Sequence, residues 1–250
     1  MTSRVDFLGF PVDSLTMDET IAEIGRRLEL GEFTQHVVVN VAKLVQMTTD
    51  LELRAAVTSC HLINVDGMGI VWGARVVGVR VPERVAGVDL FFKLMSFAAS
   101  RGETVYLLGA KPEVVERTVQ ELRKSYPTLK LAGWHHGYFW DDEQAIVDRI
   151  RGSGASMLFV AVSSPLKEQF IARHRQALGV KFAMGVGGTF DIVAGVTRRA
   201  PAWMQGAGLE WMFRLAQEPR RMWRRYLVTN VLYAWLLIRE KFRQLARRSA

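Results

Sequence analysis

The chain holds one cysteine, Cys60, in 250 residues, which excludes an internal disulfide framework and a cysteine zinc cage. Its five histidines lack metal-ligand spacing, and the pair at 135–136 reads as a strand end rather than a ligand set. No GxGxxG, Walker A loop or nucleophile elbow is present, so the usual signatures of dinucleotide, P-loop and serine-hydrolase chemistry are missing. No low-complexity tract occurs. No apolar run approaches the roughly 20 residues a membrane span needs. The densest, Leu227 to Ile238, is twelve residues long and is interrupted by Thr229 and Asn230. The opening "MTSRVDFLGFPVDS" has no long apolar core, so no signal peptide is expected and the domain is placed in the cytoplasm.

What is present is a globular composition with a lopsided charge. Apolar residues make up 49% and charged residues 23%, enough for a sizeable core. Residues 211–250 carry ten Arg and Lys against two acids, while the other 210 residues hold 23 of each sign. The net charge of +8 therefore belongs to one C-terminal segment, and such a patch favours phosphates: nucleic acid, anionic lipid or a diphosphate ligand.

Short apolar runs alternate with helical patterns along the first 195 residues. Strands are expected at 5–10, 36–40, 61–66, 104–109, 129–134, 156–162 and 181–187, several of them continuous and β-branched, as in a buried, mainly parallel sheet. Helices are expected at 18–30, 41–58, 87–101, 112–125, 141–151, 165–177 and 188–195. Strand, helix, strand repeated predicts an α/β layered, Rossmann-like fold flanked by helices. From residue 209 onward only helical periodicity remains. The expected division is an α/β catalytic domain over 1–197 and a basic α-helical appendage over 198–250.

Ligands of such sheets bind beyond the carboxyl ends of the strands. The residues following each strand are therefore the candidates. Asn40 and Lys43 follow one, Asp66 with "GMG" another, Gly137 and Tyr138 a third, "SSPLKEQ" with Lys167 a fourth, and the glycine-rich "GVGGTFD" with Gly187 and Asp191 a fifth. Asp66 ends an apolar strand and suits a general base, or else a cap for the next helix. Arg84 sits in a loop before a helix, where a surface salt bridge is the plain alternative. The glycine turn offers backbone N–H groups to phosphate.

Six ordered blocks resemble one family, the TagA/WecG/CpsF bacterial glycosyltransferases (glycosyltransferase family 26): "DGMGIVWGARVVG" (66–78), "ERVAGVDL" (83–90), "YLLGAKPEVVE" (106–116), "GVGGTFDIVAG" (185–195), "RRAPAWMQGAGLEW" (198–211) and "RLAQEPRRMWRRY" (214–226). The resemblance spans roughly residues 5 to 240. It implies a GT-E type fold and an inverting, metal-independent hexosyltransferase that uses no cofactor. The donor it implies is a UDP-sugar, carrying N-acetylmannosamine, glucose or a related sugar. The acceptor is a sugar on polyprenyl diphosphate, met at the inner face of the bacterial membrane during cell-surface polysaccharide biosynthesis. By position it makes Asp66 the base and sets Arg84 at the leaving diphosphate. It places Asn40 and Lys167 in the substrate pocket, Gly137, Tyr138, Gly187 and Asp191 at the nucleotide, and Arg214, Arg221 and Arg224 at a diphosphate. Homo-oligomers are compatible with it. The chain departs from the pattern in three places: Val38 where Thr is common, "VDG" for P-D-G, and "PLKE" for "PKQE", which puts Lys167 where Gln is usual. "SPLKEQF" leans toward the exopolysaccharide branch, with glucosyl transfer to a lipid-linked glucose.

Three other readings compete. A basic nucleic-acid-binding module leaves the tail's apolar face unexplained and lacks a binding motif. An epimerase acting on soluble nucleotide-sugars would need the absent GxGxxG. A non-catalytic scaffold does not account for ordered polar residues at strand ends. In the tail, Leu227, Val231, Trp235, Ile238 and Phe242 fall on one helical stripe ringed by basic residues. That suits an interfacial helix on an anionic inner membrane surface, or plain packing against the body.

Overall fold

A computed structural model describes residues 4–249, without the side chains of residues 221, 222, 225, 248 and 249. The strand expected at 5–10 is instead a hairpin. β1 (Arg4–Phe7) and β2 (Phe10–Asp13) pair antiparallel about Leu8 and Gly9, both left-handed at φ 56° and 84°. The buried Asp13 carboxylate accepts from the Arg4 guanidinium at 2.9 Å and from the Ile63 N–H at 2.7 Å. The hairpin is thereby fastened to an edge strand that would otherwise present open backbone.

The main sheet has six strands: β3 (Thr34–Val39), β4 (Leu62–Val65), β5 (Thr104–Gly109), β6 (Lys130–His135), β7 (Met157–Ala161) and β8 (Phe182–Gly185). They lie in the order β4-β3-β8-β7-β5-β6, every pair parallel. The fold is α/β and Rossmann-like. Both faces are covered, which is why the strands read as continuous apolar runs. One face packs on α1 (Met17–Glu29), α5 (Gly87–Arg101), α6 (Pro112–Ser125) and α9 (Thr189–Val193), through Leu90, Phe91, Val115 and Phe190. The other packs on α7 (Glu143–Gly152) and α8 (Leu166–His174) at its centre, and on α2 (Val41–Gln46), α3 (Leu51–Thr58) and α4 (Met68–Val76) over β3 and β4. β5 shows the alternation: Val105 and Leu107 face the first layer, Tyr106 and Leu108 the second.

Helices α5 and α6 have the expected bounds, because Gly102 ends one in the left-handed region and Pro112 opens the other. The stretch 41–58 is two helices. Asp50 accepts from the Leu53 N–H and starts α3 afresh.

Three helices close the chain: α10 (Ala202–Gly206), α11 (Glu210–Gln217) and α12 (Pro219–Ser249). α12 lies along α4. The Tyr233 hydroxyl donates to the Gly69 carbonyl at 3.0 Å, and a Cβ on Gly73 would stand only 1.9 Å from that hydroxyl. Further along, Lys241 and Gln244 donate to the carbonyls of Val76 and Val77 at the end of α4. Tyr233 and Leu236 are 7% and 6% exposed, whereas Trp235 and Phe242 are 54% and 68% exposed. The stripe running from Leu227 to Phe242 thus faces away from the body. No helix among the described residues is long and apolar enough to cross a membrane.

Candidate active site

A cavity of about 720 Å³ opens at the carboxyl ends of β4, β3, β8 and β7. There the first half of the fold (β3, β4) meets the second, and the chain leaves β3 toward β4 but leaves β8 toward α6, where α9 packs. Divergent connections of this kind leave a crevice in an open α/β sheet.

Asp66 immediately follows β4. It does not cap the following helix: Gly67 is the cap residue of α4, and no side chain bonds there. Gly67 has φ +111° with open space around its Cα, so glycine serves the backbone turn rather than a close contact. The Asp66 carboxyl instead turns toward the backbone N–H of Gly87, at the first turn of α5. Burial raises its pKa. Arg84, Arg214 and the Gly87 N–H pull it down, and Glu210 pushes it further up. The result is a carboxylate more basic than a solvated one.

Two charged groups border Asp66. The first forms a wall. Arg84 Nη1 donates to Glu210 Oε2 at 3.0 Å, and Arg84 Nη2 lies 3.9 Å from Asp89 Oδ2. Arg214 Nη2 lies 3.6 Å from Glu210 Oε1, and Arg199 grips Asp89 with both terminal nitrogens. The second forms the floor. Lys43 Nζ donates to the Val38 carbonyl at 2.7 Å and sits 2.8 Å from Glu168 Oε1. Lys167 Nζ sits 3.1 Å from the same oxygen, and Ser164 donates to Oε2 at 2.9 Å. Burial alone would raise the Glu168 carboxyl, but the two ammoniums outweigh it and hold its pKa at about 2. Two lysines against one carboxylate leave the floor with a net positive charge.

Of the residues singled out from the sequence, Asn40, Asp66, Lys167, Gly187, Asp191 and Arg214 line the cavity together. Asn40 also caps α2, accepting from the Lys43 N–H at 2.9 Å. Burial raises the Asp191 carboxyl, with Lys111 opposing. Arg84 stands behind Glu210 rather than on the cavity surface. Gly137 and Tyr138 do not line the cavity: Gly137 donates to the Ala110 carbonyl at 2.8 Å beyond β5, and Tyr138 is exposed. Arg224 is exposed on α12 and is not a lining residue, and the side chain of Arg221 lies outside the described residues. Glu210 and Glu168 were not singled out. Their partners lie 126 and 125 residues away, and only "PLKE" beside Lys167 hinted at the second. Among the described residues no group of three or more His, Cys, Asp or Glu is placed to hold a metal ion.

A carboxylate raised by burial at a strand end, sharing a cavity of ligand size with Arg214, is an arrangement whose chemistry suits proton abstraction beside an anion. The chain belongs to the glycosyl transferase WecG/TagA/CpsF family, whose model matches residues 5–247. It is 34% identical over 184 residues to an N-acetylglucosaminyldiphosphoundecaprenol N-acetyl-beta-D-mannosaminyltransferase of Bacillus subtilis (strain 168), covering 74% of this chain and 71% of that one. It is 35% identical over 173 residues to a Bacillus spizizenii protein of the same description, covering 69% and 66%. The protein is accordingly a glycosyltransferase of a bacterial hexosyltransferase family.

Proposed function

We propose that this enzyme moves a hexosyl group, N-acetylmannosamine, glucose or a close relative, from a UDP-sugar to a sugar carried on polyprenyl diphosphate. In this reading Asp66 takes the proton of the acceptor hydroxyl as its oxygen attacks the anomeric carbon from the side opposite UDP. The bond from that carbon to the UDP oxygen breaks, its electron pair leaves with UDP, and the configuration inverts. Positive charge at the departing diphosphate is assigned to Arg214 at the cavity and to Arg84 behind Glu210, with the lysine floor beneath; no metal ion is assigned a role. Gly187 and Asp191 are assigned to the nucleotide side of the cavity, and Gly137 and Tyr138, which stand outside it past β6, to the nucleotide by the resemblance alone. Asn40 and Lys167 are assigned to the sugars, and Arg221 and Arg224 to the diphosphate of the acceptor.

The observation that carries the reading is the Asp66 carboxyl, raised by burial and standing in the cavity with Arg214. The descriptions of the two relatives favour a lipid-diphosphate acceptor. Residues 198–250 are assigned to an appendage that rests on the anionic inner face of the membrane through the exposed stripe of α12, with the enzyme on the cytoplasmic side.

The test is UDP release with a polyprenyl-diphosphate-sugar acceptor, screened across UDP-N-acetylmannosamine, UDP-glucose and their uronic forms. One donor should turn over, and Asp66→Asn should cut that turnover by roughly 100-fold or more. Undiminished turnover in Asp66→Asn would remove the base assignment; no turnover with any donor would remove the transfer reading.

A further inference from the structure

Glu210 pairs with two arginines of the wall, one on the body and one on its own helix. Arg84 comes from the loop ahead of α5, and Arg214 lies one turn along α11. Glu210 is itself largely enclosed, with its side chain 17% exposed, and the Arg84 side chain is 13% exposed. A pair this sheltered is screened far less than a surface ion pair. The next links continue inward: Arg84 approaches Asp89 on the first turn of α5, and Asp89 is held by Arg199 from the segment leading to α10. The result is a chain of alternating charge, Arg214–Glu210–Arg84–Asp89–Arg199, that joins the C-terminal helices to the loop and helix end facing Asp66.

We infer that Glu210 is a positioning residue for the transfer reaction: it sets Arg84 and Arg214 against Asp66 and keeps α11 closed over the site. The inference rests on the glycosyl-transfer reading above. Without Glu210, Arg84 keeps the more distant Asp89, at 3.9 Å, as its ion-pair partner among the described residues, and the link from α11 to the body through Arg84 is lost. Glu210 acts through these arginines and through its own charge. The charged and polar groups that face Asp66 are Arg84 from the loop, the Gly87 N–H from α5, Arg199 from the linking segment, and Glu210 and Arg214 from α11. Only Glu210 among them is an anion. Replacing it with glutamine leaves Asp66 among cations alone, so its proton comes off at lower pH and it becomes a weaker base.

The experiment uses the full-length protein with the acceptor and donor of the proposed reaction. Glu210→Gln should lower kcat by about 10- to 100-fold while KM for the donor stays within about threefold, the pattern of lost orientation rather than lost binding. The acid limb of its kcat/KM profile should move to lower pH. Glu210→Asp keeps the charge, so its acid limb should stay where the wild type's is even though its rate falls. Wild-type kcat and an unmoved limb in Glu210→Gln overturn the inference. Tighter UDP binding with unchanged kcat in Glu210→Ala does so too, since Glu210 would then only occupy an anion's seat. If the wild type transfers no sugar, the proposed reaction fails on its own account, and amide hydrogen exchange decides the clamp. Residues 82–90 and 209–217 should then exchange faster together in Glu210→Gln, and unchanged exchange at 82–90 rejects it.

Discussion

The cavity is bounded by two charged surfaces that are assembled differently. The floor, Lys43, Lys167 and Glu168, is drawn entirely from α2 and α8 of the sheet body and is buried. The wall, Arg84, Glu210 and Arg214, joins the body to α11 and is partly open to solvent. A buried cluster in which each charge has a partner is fixed as soon as the body folds, and removing one member strands the others. A wall made from two segments exists only while those segments are docked. The difference separates a permanent electrostatic background from a closable one, and it places the dependence on the C-terminal helices at the arginines rather than the lysines.

The sharpest way to break the comparison is at the floor. Glu168→Gln leaves two buried ammoniums without their shared carboxylate and should cost about 3–5 kcal/mol in urea unfolding. Wild-type stability in that variant would mean the floor is not the buried fixture described. At the docking of α12, Gly73→Ala drives a methyl into the Tyr233 hydroxyl. It should cost about 1–3 kcal/mol of overpacking. Amide exchange should rise in 226–244 while β5 and β7 stay protected. Uniform loss of protection would instead tie α12 to the global fold. Acid titration distinguishes the body by its own groups. Burial holds His36 down to about 4 from an ordinary 6.5, and Glu168 sits at about 2 against 4.5. Both folded values lie below the unfolded ones, so the unfolded chain takes up these protons first. Their stability is complete above the unfolded values, and it is lost as pH falls from 6.5 to 4 for His36 and from 4.5 to 2 for Glu168. Glu168→Gln should remove the lower window only, read by thermal melts across pH. The smallest stability effect is expected on the outer face of α12. Trp235→Ser with Phe242→Ser should change unfolding by no more than about 0.5 kcal/mol. The same pair should weaken binding to anionic vesicles by more than about tenfold. Undiminished vesicle binding would detach the stripe from the membrane role.

The layered fold and most of the cavity were legible because both follow from local rules. Continuous apolar strands announce a sheet covered on both sides, and polar residues just past those strands fall at its ligand-binding edge, as Asn40, Asp66, Lys167 and Asp191 do. The first hairpin was hidden because its strands have four residues each and its turn includes Leu8 at positive φ, which no residue preference signals. The break between α2 and α3 was written in Asp50, but apolar residues at helical spacing on both sides of it, Leu44 and Val45 before and Leu53 and Val57 after, masked the cap. Glu210 was beyond reach for a different reason. Its meaning lies in an arginine on another segment, and periodicity carries no information about such a meeting. Gly73 was equally silent, since its lack of a side chain matters only once Tyr233 lies across it.

The placement of β8 beside β3 also orders events in time. Thr34 pairs with Phe182, so the first strand of the main sheet must wait for the last of its strands to be synthesised before its open edge is filled. Such distant parallel pairing is slow, and until it happens two unfinished half-sheets expose apolar edges that invite misassembly. The crevice between β3 and β8 is therefore the last part of the sheet to exist. The chain that follows, bearing the apolar outer stripe of α12, leaves the ribosome only after every strand is available. Synthesis thus releases this outward-facing stripe after the strands, when the body that α12 docks on can already be complete.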